Sequence, residues 1–314
     1  MIPSKRLFGK VLVNAPIICF WAFWLTLLLF GACNASEKNL YISSDFTPEK
    51  EFTSGIEGPA TDHQGNIYVV NFGKKGTIGI VTPEGKSSLY VNLPEGSTGN
   101  GIRLNQEGKL LVADYTGHNV LQIDPADKSI SVFAHNAAMN QPNDLAIGQN
   151  QILYLSDPNW KESTGNIWRA DRLGMITLLE SDMGTTNGIE VSPDETTLYV
   201  NESVQRNVWA YDLSAGGAIS NKRLLHQFSD FGMDGMRCDS QGNLYITRHG
   251  KGTVAILSPE GELLRELVLT GKKPSNITFG GPDGKTCYVT LQDRGCLETF
   301  RAEYPGRAWE IQNR

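Results

Sequence analysis

The sequence predicts an all-β fold, a six-bladed β-propeller of four-stranded blades, on three observations. A polar residue opens the same short phrase six times, at Glu57-Gly58, Asn100-Gly101, Asn143-Asp144, Asn187-Gly188, Asp234-Gly235 and Ser275-Asn276. These leaders stand about 41 to 47 residues apart, the period of a four-stranded blade. Each is followed by a turn group and then an apolar segment, such as Gln64-Gly65-Asn66 before Ile67-Tyr68-Val69-Val70 or Gln241-Gly242-Asn243 before Leu244-Tyr245-Ile246. Turn residues bounding short β-branched, aromatic and leucine runs are strand signals.

The chain opens differently. Lys5, Arg6 and Lys10 precede an apolar run from Val11 to Phe30, which exits through Gly31, Ala32 and Cys33. A basic start, an apolar middle and a small-residue exit make a secretory signal. Residues 1–32 are expected to be a signal peptide of lipoprotein type. Phe30-Gly31-Ala32-Cys33 resembles a bacterial lipobox with Phe30 where Leu is usual, and a lipid on Cys33 would tether the protein to a membrane. The alternative is a retained signal anchor, because about 20 apolar residues span a bilayer. Either way the domain is exported, to the periplasm or the cell surface. Residues 33–40 read as a linker, and residues 41–314 as the propeller.

Within the repeats, third and fourth strands are expected at Gly76–Val81 with Ser87–Val91, Asn166–Trp168 with Met175–Leu179, Val208–Tyr211 with Arg223–Phe228, and Thr253–Ile256 with Leu263–Leu267. The last repeat has no room for a fourth strand after Leu297–Phe300. The segment Leu40–Phe52 is expected to supply it, so that an N-terminal strand closes the ring and protects the sheet edges.

The formal charge is −6, with 28 basic and 34 acidic side chains interspersed. No basic face is left for nucleic acid. Cys238, Cys287 and Cys296 form no Cys-x-x-Cys or Cys/His group, so they read as free structural thiols rather than zinc ligands. Asn201-Glu202-Ser203 and Asn276-Ile277-Thr278 match glycosylation sequons and are taken as coincidence.

The leaders converge on one end of the central channel, because the first strand of each blade is innermost. The antiparallel second strand returns to the same face, which is expected to put Asn71, Asp114, Asp157, Glu202, Arg248 or His249, and Gln292 in a second tier. Glu57, Asn143, Asn187 and Asp234 offer two carboxylates and two amide carbonyls. Such hard oxygens suit Ca²⁺ better than Zn²⁺, which favours Cys and His; Mg²⁺, Mn²⁺ and Zn²⁺ remain alternatives. Against this stands a plain turn role, because Asn-Gly and Asp-Gly often make hairpins and Asn or Asp can cap a loop. A separate turn signal downstream in each repeat makes the hairpin role redundant. His249 beside Arg248 is either a general base or a packing residue. Asp157-Pro158-Asn159-Trp160 is either a pocket wall or an Asp-Pro turn.

These phrases together resemble the SMP-30/gluconolactonase-like family of six-bladed propellers. The resemblance runs from about residue 55 to 300 through Ile56-Glu57-Gly58-Pro59, Gln141-Pro142-Asn143-Asp144-Leu145, Ser156-Asp157-Pro158, Asn187-Gly188-Ile189, Asp234-Gly235-Met236 and Thr278-Phe279-Gly280-Gly281. It implies a divalent metal on Glu57, Asn187 and Asp234, with Asn143 beside the metal or the substrate, and hydrolysis of sugar lactones or related esters. Some sugar-lactone members carry Arg shortly before the equivalent of Asn143, where this chain has Gln141-Pro142. The metal set therefore carries over residue by residue, but sugar recognition does not.

The expected reaction is metal-assisted hydrolysis of a small lactone or ester, the cation polarising the carbonyl. Asp234 would act as ligand and general base, or alternatively as nucleophile, with Asn143 assisting. The rival class is a non-catalytic, Ca²⁺-stabilised propeller that binds a ligand or protein, since fold does not fix function. An NHL-like interaction propeller fits less well, because an interaction surface has no need of converging acids and amides.

Overall fold

The computed structural model describes residues 40–312. The expected signal peptide, Cys33 and all of the expected linker but Leu40 lie outside the described residues. No helix among the described residues is long and apolar enough to cross a membrane.

The expected architecture is present: six antiparallel four-stranded sheets. The first blade comprises Phe52–Thr61, Ile67–Phe72, Thr77–Val81 and Ser87–Asn92. The second runs Gly99–Leu104, Leu110–Asp114, Asn119–Ile123 and Ile130–His135. The third is Leu145–Ile147, Leu153–Asn159, Thr164–Ala170 and Ile176–Met183, and the fourth Thr186–Val191, Thr197–Glu202, Asn207–Leu213 and Ile219–Gln227. The fifth holds Met236–Cys238, Leu244–Arg248, Thr253–Leu257 and Leu263–Val268. The sixth holds Pro274–Gly280, Thr286–Leu291 and Cys296–Arg301. Its outer edge is the two-residue strand Ser44–Asp45, antiparallel to Cys296–Arg301 with Ser44 opposite Thr299.

The core is six wedges, one between each pair of adjacent blades. Tyr68, Val70, Ile102, Leu110 and Val112 fill the wedge between the first two blades. Ile56, Ile67 and Val69 meet Tyr288 and Leu297 between the first and last. The second strands, such as Ile67–Phe72 and Leu110–Asp114, are buried almost throughout and read as apolar runs, whereas outer strands such as Leu263–Val268 leave most residues exposed. At about 1.5–3 kcal/mol for each fully buried large aliphatic side chain, the wedges hold the blades together. Cys238, Cys287 and Cys296 are buried free thiols. Asn201 and Asn276 are also buried, so neither sequon is open to a glycan.

The polar-Gly dipeptides are close approaches between inner strands rather than hairpins. A Cβ on Gly235 would lie 2.1 Å from Cγ of Asn276, and the Gly235 amide donates to the Ser275 carbonyl at 2.7 Å. At Gly58, φ is +57°, and a Cβ there would lie 1.9 Å from the Asn100 carbonyl oxygen. Gly101 and Gly188 donate in the same way to Asn143 and Asp234 of the next blade. The stitch between adjacent blades needs a residue without a side chain.

One element has no counterpart in the repeat pattern. A six-residue helix, Arg307–Gln312, lies across the far end of the channel. There Arg307 donates to the carbonyls of Ser192 and Ile147 and pairs with Glu190 and Glu195.

Gly235→Ala is expected to lower stability by about 2 kcal/mol, because the added methyl would overpack against the buried, hydrogen-bonded Asn276 side chain and overpacking typically costs about 1–3 kcal/mol. Gly216→Ala, where an added Cβ meets nothing closer than 4.0 Å, should change it by less than about 0.5 kcal/mol. Denaturant midpoints of the two variants check the comparison.

Candidate active site

The innermost strands lose their regular register where the leaders stand. The ladder slips between Glu57 and Ala60, between Gly99 and Ile102, and between Thr186 and Ile189. Such bulges re-aim side chains. In the third and fifth blades the inner strand starts only at Leu145 and Met236, leaving Asn143 and Asp234 just outside the ladder.

Five of the six leaders reach the mouth. Two adjoining cavities of about 500 and 540 Å³ share Trp160, Asp234 and Gln292 as common wall. Asn187 lines the first; Glu57, Asn100 and Asn143 line the second. Glu57, Asn143 and Asn187 are nearly inaccessible, at 4%, 5% and 2% exposure. The sixth leader, Ser275, is buried away from both, its hydroxyl bonded to the Ile56 carbonyl at 2.7 Å and to Thr290 at 2.8 Å.

The expected second tier divides. Asn71, His249 and Gln292 line the cavities. Asp114, Asp157 and Glu202 do not, and the expectation is corrected: these acids cap the loop that enters the inner strand of their own blade. Asp114 accepts from Thr98 N and Ser97 Oγ, Asp157 from Asn140 N, Gln141 N and Trp168 Nε1, and Glu202 from Gly184 N and Asn207 Nδ2. A loop of unpaired amides must find acceptors, and an acid at the end of the second strand is the nearest. Asp157 is thus a scaffold residue, whereas Trp160 of the same phrase forms the cavity wall. Burial lowers the pKa of His249, and its Nε2 lies 3.2 Å from Gln292 Oε1.

Electrostatics single out two acids. Burial pushes the Glu57 carboxyl up to about 7, and the negative charge of Asp144 adds to this, against hydrogen bonds from Asn276 and Gly58. Asp234 is pushed well above the ordinary Asp value by burial and then by the charge of Glu57. Neither carboxylate has an ion pair among the described residues. Asn187 adds a further observation. Its Nδ2 donates to Ser203 Oγ at 3.0 Å, Ser203 Oγ donates to the Met233 carbonyl, and Asn187 Oδ1 is left buried with no hydrogen-bond partner. Asn143 Oδ1 accepts from Asn100 Nδ2 at 2.8 Å.

The buried Glu57 carboxyl, the half-buried Asp234 carboxyl and an unpartnered buried carbonyl fit a hard divalent cation. Among the described residues no three His, Cys, Asp or Glu side chains gather to hold a metal, so any ion at this mouth needs the amide oxygens as well. Oxygen donors of this kind suit Ca²⁺, Mg²⁺ or Mn²⁺ better than Zn²⁺.

Beneath the mouth lies a cluster that the leaders alone do not disclose. Asp144 is fully buried between Arg103, at 3.2 Å, and Arg237, at 3.1 Å. Burial would raise its carboxyl, but the two guanidinium groups hold it below the usual value. The signal was available in the repeats: Arg103, Glu190 and Arg237 each stand three residues after a leader, and Asp144 replaces the usual Gly.

Comparison with known proteins agrees with this fold. A family model, SMP-30/Gluconolactonase/LRE-like region, matches residues 57–293. A gluconolactonase of Zymomonas mobilis is 29% identical over 283 residues, covering 78% of this chain and 79% of the relative. Diisopropyl-fluorophosphatase of Loligo vulgaris is 24% identical, covering 83% of this chain and 93% of the relative. Among solved structures, the calcium-binding protein regucalcin from Agrobacterium tumefaciens superposes with a TM-score of 0.72 at 22% identity, covering 86% of this chain and 94% of that one.

Glu57→Gln removes one of two like charges while keeping an acceptor for Asn276 and Gly58. In chelator-treated protein it is expected to raise the melting temperature by about 2–4 °C, the shift that 1 kcal/mol gives in a domain of this size. Ca²⁺ should raise the melting temperature of the wild type and not that of the variant. Thermal unfolding with and without the ion checks both. A wild type indifferent to every divalent cation would remove the site.

Proposed function

We propose that this chain, which belongs to the SMP-30/gluconolactonase/LRE-like family, hydrolyses the ester bond of a small lactone or related ester at the mouth of its channel. The observation that carries the reading is the pair of buried Glu57 and half-buried Asp234, neither with an ion-pair partner among the described residues, with Asn187 Oδ1 unpartnered beside the cavity. The Zymomonas gluconolactonase supplies the reaction class. A non-catalytic, ion-stabilised propeller is the weaker reading, because these oxygens line cavities of about 500 and 540 Å³ with room for a ligand.

Glu57, Asn143, Asn187 and Asp234 would hold a divalent cation, Ca²⁺ first, and such an ion supplies Lewis-acid polarisation of a carbonyl. The chain's own residues do the rest. Asp234 stands in the wall shared by both cavities, so its carboxylate can take a proton from a water that attacks the lactone carbonyl carbon. The ring C–O bond breaks, and that proton passes to the leaving alkoxide to give the hydroxy acid. Asn143, fixed by Asn100, orients the substrate from the second cavity. Export and a lipid tether at Cys33 complete the reading, on the strength of residues 1–33.

Two measurements follow. Asp234→Asn should lower kcat by about 10²- to 10⁴-fold, the usual contribution of general base catalysis, while the variant still folds and melts cooperatively. Full turnover in this variant would take Asp234 out of the chemistry. For localisation, Cys33→Ser should move the protein from the membrane fraction to the soluble one, and an unchanged distribution would leave the anchor reading.

A further inference from the structure

The two halves of the mouth differ in chemistry. The half that contains Glu57 and Asn143 is walled by Thr53, Asn71, Lys75, Thr98 and Asn100. The other half, reached across Asp234, sets Trp160, Val204, Phe231 and Met233 beside Arg206 and His249, so that one side of it is apolar and the other polar. Three of these are large apolar side chains left in contact with solvent, Trp160 at 39%, Val204 at 54% and Phe231 at 50% exposure. Scattered exposed apolar residues need no explanation, whereas a group gathered on one cavity wall marks a binding surface.

Phe231 is held in place rather than left loose. Its φ is +40°, a region that bulky side chains rarely occupy and that costs about 1–3 kcal/mol. The preceding residue is gripped from two sides. Arg248 Nη2 donates to both the carbonyl and the carboxylate of Asp230, at 2.5 and 2.8 Å, and Lys251 Nζ lies 3.1 Å from the same carboxylate. The Arg248 guanidinium also stacks 3.7 Å from the Phe228 ring centre. Gly250 lies so close beneath the Phe231 ring that an added Cβ would stand 3.3 Å from it. Strain of this kind persists only where the surroundings impose it.

We propose that the substrate is a lactone carrying an alkyl or aryl substituent. Its ring ester lies over Asp234 and its hydrocarbon arm lies against Trp160, Val204 and Phe231. The reaction rests on the hydrolase reading above; the substrate class rests on the composition of this wall. A polyhydroxylated ring would leave hydroxyls facing three apolar side chains, where unpaired polar groups are costly.

The test compares six-membered lactones that differ only in what the ring bears: δ-decalactone with its pentyl arm, unsubstituted δ-valerolactone, and δ-gluconolactone. The kcat/KM for δ-decalactone should exceed the other two by about tenfold or more, as one well-seated methylene is worth that much. Phe231→Ala and Trp160→Ala should each shrink the decalactone-to-valerolactone ratio by about tenfold, mainly through KM. A preference for δ-gluconolactone, or ratios unmoved in both variants, overturns the proposal. Calorimetry with the lactam analogue of δ-decalactone reads the wall independently of turnover. Binding with a negative heat-capacity change that weakens in Phe231→Ala is expected. If no lactone is hydrolysed but the lactam still binds in this way, the hydrolase reading fails and the apolar seat stands. Absence of lactam binding removes the seat.

Discussion

The structure turns on one buried carboxylate. Asp144 sits on the channel axis and is held by Arg103 of the second blade and Arg237 of the fifth, which ties three blades together where no apolar wedge reaches. Burying such a group is expensive, and removing one partner of a buried ion pair typically costs about 3–5 kcal/mol. The arrangement also sets the potential at the mouth. The charge of Asp144 is felt at Glu57 and at Asp234 and raises both, while Arg237 partly offsets it at Glu57. At the far end Arg307 answers Glu190 and Glu195. Every acid along this axis that meets an arginine is neutralised in place. The two at the mouth meet none.

That asymmetry explains how much of the site was legible in the sequence. A blade's inner strand is short and starts with a leader, so a fixed period is enough to bring Glu57, Asn100, Asn143, Asn187 and Asp234 to one mouth. The glycines after the leaders were legible as something other than hairpin turns, because each repeat already had its turn. Their physical reason is non-local: Gly235 faces Asn276 of the next blade, a contact no single repeat contains. The same limit hid the role of Asp114, Asp157 and Glu202. Position in the repeat gives the end of the strand an acid occupies, not whether it faces the channel or turns back to cap a loop. Arg103, Glu190 and Arg237 were visible as charges three residues after a leader, but pairing across the axis depends on which blades stand opposite. The helix at Arg307–Gln312 belongs to no repeat and carried no periodic signal.

The solved relative shares 22% identity with this chain, and likeness at that level concerns the fold. Propellers of one architecture host different chemistries because the mouth is built from loops and strand ends, while the wedges hold the blades. In this chain the mouth's walls come from separate blades. Asn71, Asn100 and Asn143 stand on the first three, Val204, Phe231 and Met233 on the fourth and the approach to the fifth. One wall can change its polarity without disturbing the other, since the only groups common to both cavities are Trp160, Asp234 and Gln292.

The orientation of Asn187 shows how the scaffold prepares the mouth before any ligand arrives. An amide can turn over at little cost, so its carbonyl is a dependable donor only if something fixes the nitrogen. Ser203 has one hydroxyl proton and uses it on the Met233 carbonyl. It can therefore only accept from Asn187, and the amide nitrogen must face it. Met233 is in turn the residue before Asp234, whose carbonyl receives Gly188 N and Asn201 Nδ2. A chain of single-valued hydrogen bonds thus runs from the fifth blade through Ser203 to the Asn187 carbonyl, and it leaves that oxygen buried without a partner. An unmet buried acceptor costs about 1–3 kcal/mol. This acceptor stands on the same cavity as the Asp234 carboxylate, and the proposed cation site draws on that pairing.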